Sequence, residues 1–207
     1  MSEDKIPFVN YKSYEDYVTH QKSKAPHGGD LHKALSKGGE LWESDCRGFK
    51  LIFESNKELM SLIPSIQNAL CLGARTGQEV YVLRELGIKE ALGIDLNDDP
   101  PLVIEGDVHD LEFEDASYDF IFSNIFDHVL YPDKFISEIE RVLKPNGHCL
   151  LHVDSSNSMD HFSANHLHDV NYPVTLFKNE IEIVKSERLN VDFQWPDFTE
   201  FLIKIKS

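Results

Sequence analysis

The segment Asn68–Asn97, NALCLGARTGQEVYVLRELGIKEALGIDLN, decides the fold that this sequence predicts. It begins with a short apolar run that Gly73 and Gly77 interrupt, and it continues with apolar residues at helical spacing. A second apolar run follows and closes on Asp95. A strand, a glycine turn, a helix and another strand within about thirty residues form a βαβ unit. We therefore expect two parallel strands joined by a helix.

The glycine turn has the features of a ligand-binding loop. Gly73 and Gly77 permit backbone conformations and close approaches that a side chain would block. The helix that begins near Thr76–Gln78 directs free N–H groups and a partial positive charge towards the turn, which suits a carboxylate or another anion. Asp95 ends the next strand, about twenty residues on, where an acid can accept hydrogen bonds from ribose hydroxyls. These features predict a nucleoside-containing cofactor.

Two other interpretations of the turn are open. A dinucleotide fingerprint needs glycines spaced G-x-G-x-x-G, and Arg75 and Gln78 stand where this chain would need them, which disfavours NAD and FAD. The turn could also connect strand to helix without binding any ligand. The rest of the chain favours the nucleoside cofactor.

Strand and helix patterns alternate after Asp95. Strands are predicted at residues 103–104, 118–124 and 148–153, a helix at 132–143, and a final strand pair at 181–191 and 199–205. The fold class is therefore α/β, a doubly wound and mainly parallel sheet with an N-terminal helical extension and an antiparallel C-terminal strand pair. We expect a single domain over residues 1–207, in which 67–207 form the cofactor-binding core and 1–66 form helices that cover it as a lid.

The N-terminal extension carries three further predictions. Ser13 caps a first helix, since acids follow it in the first turn. Residues 24–39 contain two Gly-Gly pairs and are interpreted as a mobile connector, and residues 42–66 follow an approximately helical period. We expect the histidines of this region to be exposed and without metal; they are His20, His27 and His32.

Composition limits the classes of function. The 207 residues are 41% hydrophobic and 27% charged, which is typical of a soluble globular enzyme. Their net charge of −16 repels phosphate backbones and argues against a nucleic-acid partner. No apolar run approaches a membrane span and no signal-peptide pattern is present, so we expect a cytoplasmic protein with no membrane partner. Three separated cysteines form neither a disulfide framework nor a metal motif.

Five motifs in order resemble those of the class I S-adenosylmethionine-dependent methyltransferases, and within them the methyltransferase type 11 group. They are Gly73–Gly77, Asp95, Gly106-Asp107, Phe122–Asn124 and Leu143–Gly147. The segments GARTGQEV, GIDL and FSNIFDHVLYPDKFISEIERVLKPNG are also similar to methyltransferase-like proteins of plants. The likeness covers roughly residues 42–153. It implies a Rossmann-like fold and a cofactor, S-adenosyl-L-methionine, that leaves as S-adenosyl-L-homocysteine.

The resemblance also implies roles for particular residues. The turn would surround the methionine part of the cofactor, with backbone amides near its carboxylate. Asp95 would hold the ribose hydroxyls, Asp107 would accept from the adenine amino group, and two side chains would flank the ring. The floor beneath the sulfonium would come from the end of the strand at 118–124. The implied cofactor-binding residues are Gly73, Ala74, Arg75, Gly77, Asp95, Leu96, Asp107, Val108, Ser123 and Asn124.

Two positions depart from the family pattern. The family usually has an acid where Cys71 stands and a glycine where Arg75 stands. The missing acid could weaken the affinity for the cofactor unless other contacts replace it. Arg75 needs either a tolerable backbone angle or a side chain that points outwards.

Candidates for acid–base chemistry follow the strand at 118–124. Asp127 and His128 are the best-placed catalytic pair, and His128 matches a position that is often histidine in the type 11 group. The competing interpretation is structural, with Asp127 capping a turn and His128 donating hydrogen bonds; titration near neutral pH permits base chemistry without proving it. His152 and Asp154 form a weaker pair for substrate contact.

The loop at 160–169 carries ligand-type side chains, but it lacks a cysteine pair or a helical H-x-x-x-H motif. We expect it to select substrate rather than bind metal; its candidates are Asp160, His161, His166, His168 and Asp169.

The sequence thus predicts a methyltransferase that acts on an unidentified, small-molecule acceptor, in an oligomeric state that the sequence does not define. The first alternative is a non-catalytic module with the same fold that works through a partner. A nucleotide-dependent oxidoreductase is the second, and the missing glycines and the LKPNG turn argue against it.

Overall fold

The computed structural model describes residues 10–155, 160–165, 167–191 and 197–206. One sheet of seven strands runs through the described chain. The strands are β1 (Asn68–Leu72), β2 (Glu90–Asp95), β3 (Val103–Glu105), β4 (Tyr118–Ser123), β5 (Leu143–Asp154), β6 (Ile181–Arg188) and β7 (Phe198–Ile205). The helices are α1 (Tyr14–Lys22), α2 (Asp30–Leu35), α3 (Trp42–Ser55), α4 (Lys57–Leu62), α5 (Gln78–Glu85), α6 (Pro132–Val142) and α7 (Tyr172–Thr175).

The strand order is β3-β2-β1-β4-β5-β7-β6. The first five strands in this order pair in parallel, and β7 pairs antiparallel with both β5 and β6. The chain moves outwards from β1 to β3 and then returns to place β4 on the other side of β1. This reversal between β1 and β4 is the switch point at which doubly wound sheets bind ligands. The predicted fold class, including the antiparallel C-terminal pair, is confirmed.

Alternating side chains place an apolar layer on each face of the sheet. Ala69 and Cys71 of β1 pack with α3 and α5 on one face, and Leu70 and Leu72 pack with α6 on the other. All four side chains are buried. A parallel sheet needs this cover on both faces, because its central strands carry apolar residues on each side.

A buried polar cluster joins the C-terminal strands to the N-terminal helices. Glu200 of β7 is fully buried and accepts hydrogen bonds from Asn56 Nδ2 at 2.8 Å and Lys185 Nζ at 3.1 Å, and its second carboxylate oxygen lies 3.0 Å from His152 Nε2. The Asn56 side chain also caps α4 by accepting from Leu59 N. One carboxylate therefore binds β5, β6 and the α3–α4 corner together.

The structure corrects several predicted boundaries. The helix predicted at 132–143 ends at Val142, and Leu143 already belongs to β5. Tyr118 pairs with Leu143 but Phe120 pairs with His148, so the residues between bulge out of the ladder. The single pattern at 42–66 is divided at Asn56 into α3 and α4, followed by a 3-10 turn, because Asn56 adopts an extended conformation and caps the second helix.

The predicted mobile connector at 24–39 contains helix α2. Its Leu35 is buried, and Ser36 Oγ donates to Asp99 Oδ2 at 3.0 Å. Asn97 Nδ2 donates to the carbonyls of Lys22 and Ala25. His32, predicted to be exposed, is buried, because α2 turns that side chain inwards. The Ser13 cap is confirmed, since its Oγ accepts from Asp16 N.

Candidate functional site

A cavity with two adjoining chambers opens at the carboxyl ends of β1, β2 and β4. The first chamber is lined by the residues that follow β2 and β3, including Asp95, Leu96, Asp107 and Val108. The second extends past the end of β4 towards α3 and is lined by Asn124 and Asp127 among others. The residues shared by both walls are Lys24, Gly73, Arg75, Ile125 and His128. The cavity therefore occupies the switch point of the sheet.

The glycine turn between β1 and α5 forms the wall between the chambers. Gly73 has φ +77°, and a Cβ there would lie 2.5 Å from Ile125 Cγ2. Gly77 has φ +82° and caps α5, and a Cβ there would lie 2.7 Å from Leu102 Cβ. Both positions therefore require glycine for conformation and for space.

Four backbone N–H groups of this turn are already engaged inside the protein. Gly73 and Ala74 donate to Ile94 O at 2.9 and 3.1 Å, and Gly77 donates to Ala74 O at 2.7 Å. Arg75 N donates to Asp95 Oδ2 at 2.9 Å. These amides hold the turn against β2, so the predicted contact between turn amides and a ligand carboxylate needs another donor.

Arg75 combines a left-handed backbone with a side chain in the cavity. Its φ is +49°, the region that favours glycine. Burial raises the pKa of the carboxyl groups of Asp45, Glu79 and Asp95, and the nearby positive charge of Arg75 opposes that rise in each. Within the described residues, no side chain forms a hydrogen bond or an ion pair with it. The departure noted in the sequence thus places an unpaired cation between the chambers.

Asp95 is held rigidly at the end of β2. Its two carboxylate oxygens accept from Arg75 N at 2.9 Å and Asn97 N at 3.2 Å. Burial raises the pKa of Asp95, and the hydrogen bonds from the backbone oppose that rise. Each carboxylate oxygen has two acceptor sites, so Asp95 keeps acceptor capacity beyond these two bonds, and the residue lines the first chamber.

The carboxylate of Asp107 is bound by a tyrosine of helix α1 and by His109. Its carboxylate accepts from the backbone N–H and ring Nδ1 of His109, at 2.8 and 2.9 Å, and from the Tyr14 hydroxyl. Burial raises the pKa of Asp107, but the hydrogen bonds from His109 and Tyr14 outweigh it and hold that pKa at about 2. Tyr131 N donates to His109 Nε2, so the proton of that ring lies on Nδ1. Asp107 is therefore a permanent anion at physiological pH.

His128 sits in a 3-10 turn after β4 and borders both chambers. Its Nδ1 lies 3.1 Å from Phe162 O, a pure acceptor, so Nδ1 carries the proton. Its Nε2 lies 3.0 Å from Lys24 Nζ and 3.4 Å from Asp127 Oδ2. Burial raises the pKa of Asp127 and lowers the pKa of Lys24.

Most of the predicted site residues come together. Of the ten predicted cofactor residues, eight line the chambers; they are Gly73, Ala74, Arg75, Asp95, Leu96, Asp107, Val108 and Asn124. Gly77 lies behind the wall, and Ser123 is buried with its hydroxyl donating to Leu72 O at 3.2 Å. Asp127 lines the second chamber and His128 lines both.

Of the other candidates, those in β5 and in the loop at 160–169, some line the cavity and some do not. Asp154 and Asp160 line the second chamber, whereas His152 is fully buried against Glu200 and cannot contact a substrate. His166 lies outside the described residues. Among the residues that the structure does describe, no group of three or more His, Cys, Asp or Glu side chains is arranged to hold a metal ion.

Sequence reasoning missed the residues that α1 and the following segment bring to the cavity. Tyr17, Gln21 and Lys24 line the first chamber. The Tyr17 hydroxyl donates to His128 O at 3.0 Å, and Gln21 Nε2 donates to Phe162 O at 2.7 Å. Tyr17 and Gln21 lie at helical spacing, four residues apart, but nothing local marks that face as the one that meets the cavity.

Comparison with known proteins finds a similarity to one kind of domain. A family model described as a methyltransferase domain matches residues 70–151. No curated protein matches the chain. In the described residues, no helix has the length and apolar character needed to cross a membrane.

Solved structures share the fold at low sequence identity. One is the 1,6-didemethyltoxoflavin-N1-methyltransferase of Burkholderia thailandensis, solved with 1,6-didemethyltoxoflavin and S-adenosylhomocysteine. It is 14% identical to this chain with a TM-score of 0.65, and the match covers 98% of this chain and 93% of that protein. A protein from Pyrococcus horikoshii is 15% identical with a TM-score of 0.60, covering 94% of this chain and 100% of its own.

A third structure is a methyltransferase of Haloferax volcanii in complex with the Trm112 activator. It is 19% identical with a TM-score of 0.58, covering 80% of this chain and 94% of its own. These likenesses establish the Rossmann-like methyltransferase fold.

Proposed function

We propose that the protein binds S-adenosylmethionine and transfers its methyl group to a small-molecule acceptor. The observation that supports this most is the position of two adjoining chambers at the switch point, with ribose-type and adenine-type contacts in one and a candidate base at their junction. The methyltransferase domain match over residues 70–151 supports the same assignment.

The residues of the first chamber fit the nucleoside end of this cofactor. Asp95 offers free lone pairs to ribose hydroxyls, and Leu96 and Val108 supply apolar surface for the adenine ring. Asp107 accepts from three protein donors, and its two oxygens provide about four acceptor sites, so one remains for an amino group. The methionine end would then lie along Gly73 and Arg75, towards the second chamber.

The bound cofactor supplies an electrophilic methyl group on a positively charged sulfur. In the transfer, a lone pair of the acceptor forms the new bond to the methyl carbon while the carbon–sulfur bond breaks, and its electron pair stays on sulfur as a neutral thioether. What this chain contributes is alignment of the two reactants and exclusion of water. Alignment alone can lower a barrier by roughly 7–11 kcal/mol.

His128 is the proposed base for an acceptor that loses a proton. With its Nδ1 proton directed to Phe162 O, the ring presents Nε2 to the junction of the chambers. Asp127 Oδ2, 3.4 Å away, would stabilise the protonated ring. Residues 14–24 would act as a lid, since Tyr17 and Lys24 both contact His128.

Calorimetric titration with S-adenosylmethionine, S-adenosylhomocysteine and NAD tests the proposal. We expect micromolar binding of the first two, no binding of NAD, and loss of binding in Asp95→Ala. Asp98→Ala is the control, because Asp98 is an exposed neighbour of the same loop. Absence of binding by either sulfur cofactor would exclude the proposed function.

A non-catalytic module with the same fold is the second candidate. The contact of Lys24 Nζ with His128 Nε2 favours it, because the lysine occupies the position from which the ring would act. Cys71 is buried and stands where the methyltransferases that this chain resembles usually have an acid, which also favours a non-catalytic module. Turnover of bound cofactor with any acceptor from a metabolite extract would exclude this candidate.

A further inference from the structure

Glu79 is a carboxyl group buried in the wall of the cavity. It is the second residue of α5, only 3% exposed, and it lines the second chamber beside Ala74 and Gln78. Burial raises its pKa to about 8, with smaller contributions from its neighbours. A carboxyl group in such a position is costly unless a cation or a donor meets it.

Among the described residues, Arg75 is the cation that faces this carboxyl group, but no hydrogen bond or ion pair joins the two. The carboxyl group of Glu79 accepts from its own backbone N–H, but no other side chain of the described chain donates to it or pairs with it. The charged groups that face it are Asp45 of α3, Arg75 of the turn and Asp95 of β2. The polar side chains next to it are already engaged, since Thr76 and Gln78 bond to each other and to Leu35 O.

Arg75 is a cation of the same chamber wall. Arg75 lines both chambers, and its guanidinium has no hydrogen bond or ion pair with a described side chain. Four amides of the turn are engaged, and this guanidinium is the charged donor that the turn offers to an anion. A guanidinium-bearing residue and a carboxyl-bearing residue, neither with a hydrogen bond or an ion pair to another described side chain, therefore line the second chamber. They lie four residues apart in the chain.

We infer that Arg75 and Glu79 bind the two charges of an α-amino acid group, Arg75 the carboxylate and Glu79 the ammonium. The inference rests on the proposed function, in which that group is the methionine end of the cofactor. Each bond would be charge-assisted and shielded from water, the setting in which such bonds are strongest. Arg75 replaces the turn amides as the carboxylate donor, and Glu79 gains the cation that its burial requires.

The competing role of Glu79 is structural, because an acid in the first turn of a helix stabilises the helix through its dipole. A structural role would affect every ligand of the cavity equally. A binding role would affect only ligands that carry the ammonium group, so the test needs ligands that differ in their charges.

Three ligands make that distinction in calorimetric titrations. S-adenosylhomocysteine carries both charges, its decarboxylated analogue carries only the ammonium, and methylthioadenosine carries neither. The variants are Glu79→Gln and Arg75→Ala. Their controls are Glu85→Gln and Arg47→Ala, exposed residues of α5 and α3.

We expect Glu79→Gln to weaken S-adenosylhomocysteine and the decarboxylated analogue at least tenfold and to leave methylthioadenosine unchanged. Arg75→Ala should weaken S-adenosylhomocysteine by a similar factor and neither other ligand. Equal weakening of all three ligands, or of none, would overturn the inference while leaving the cofactor assignment intact. Failure of all three to bind the unaltered protein would overturn the proposed function itself.

Discussion

Lys24 Nζ lies 3.0 Å from His128 Nε2, although 104 residues separate the two in sequence. The lysine also lies 3.2 Å from Asp160 Oδ2, so it connects the N-terminal segment to two sides of the cavity. Burial lowers the pKa of Lys24, and Asp160 opposes that change. Lys24 therefore lines both chambers and contacts the candidate base at their junction.

The ring of His128 should hold its proton on Nδ1 in the neutral form. Phe162 O accepts there at 3.1 Å and cannot donate in return. Nitrogen chemical shifts of the neutral ring report the tautomer. His128→Gln should leave cofactor affinity unchanged and lower turnover by about 10² to 10⁴ if the residue is the base. An Nε2-protonated ring would contradict the assignment.

Removal of the Tyr14 hydroxyl should raise the pKa of Asp107 above its value of about 2. The reason is that the hydroxyl donates to the ionised carboxylate and favours it. Tyr14→Phe is also expected to speed amide exchange in α1, because the bond ties that helix to the loop after β3. Carboxyl NMR titration and hydrogen exchange measure the two effects.

Tyr131→Phe is the control for Tyr14→Phe, since the Tyr131 ring stacks on Tyr14 without the bond to Asp107. Matching effects in both variants would argue against this role of the Tyr14 hydroxyl.

Arg75→Gly should be more stable than Arg75→Ala. Both variants lose the guanidinium, but alanine keeps the cost of a φ of +49°, which is about 1–2 kcal/mol for a residue with a Cβ. The stability advantage of glycine is reduced, because glycine loses more conformational entropy on folding than alanine does. Urea unfolding of the two variants measures the difference. Greater stability of the alanine variant would show that the turn carries no such strain.

Glu79 should make the ligand-free protein less stable as pH rises. Its pKa is about 8 in the folded state against an ordinary value of 4.5, so the folded protein holds the proton more tightly. Its favourable contribution is complete below pH 4.5 and is lost between pH 4.5 and about 8, at no more than about 1.4 kcal/mol per pH unit. Thermal unfolding from pH 5 to 8 should therefore show a flatter curve for Glu79→Gln. Glu85→Gln should follow the unaltered protein, and a parallel curve for Glu79→Gln would contradict the prediction.

Glu200→Gln should destabilise the fold by roughly 3 kcal/mol at pH 7, because it leaves Lys185 and His152 without their shared carboxylate. Burial raises the pKa of Glu200, but the bonds from His152 and Lys185 outweigh it and the pKa is lowered. Its contribution is therefore present above pH 4.5 and lost as pH falls through the lower folded value.

Urea unfolding at pH 7 and pH 4 measures both effects of Glu200→Gln. Glu187→Gln is the matched control, since Glu187 also pairs with Lys185 at 2.8 Å but is exposed. It should cost under about 1 kcal/mol. An equal loss in the two variants would show that burial of the Glu200 charge is unimportant.

The features that the sequence predicted well are determined by residues close together in the chain. The cap at Ser13, the turn from Gly73 to Gly77 and the alternating strands follow from local conformation and periodicity. The strand order then places Asp95 and Asp107 at one edge of the sheet, because parallel strands end together. Position along a strand therefore sufficed to bring most of the predicted cofactor residues to the cavity.

The features that the sequence could not supply depend on distant packing. Lys24 stands in a glycine-bearing segment, and only the contacts of α1 and α2 with the sheet bring it to His128. Glu79 looks like an ordinary acid in the first turn of a helix, and its burial comes from the packing of α3 on α5. The turn amides looked free because their acceptors belong to β2, some twenty residues onwards.

The position of β7 also determines the order in which the sheet can be assembled. Although β7 follows β6 in the chain, it lies between β5 and β6, and within the sheet β6 is hydrogen-bonded to β7 alone. β6 therefore has no place to dock until the residues after it have arrived. The two strands must join β5 as a preformed hairpin, or β7 must add first and β6 fold back over it. In either route, the Glu200 cluster forms only when β5, β6 and β7 are together, and it also binds Asn56 at the α3–α4 corner.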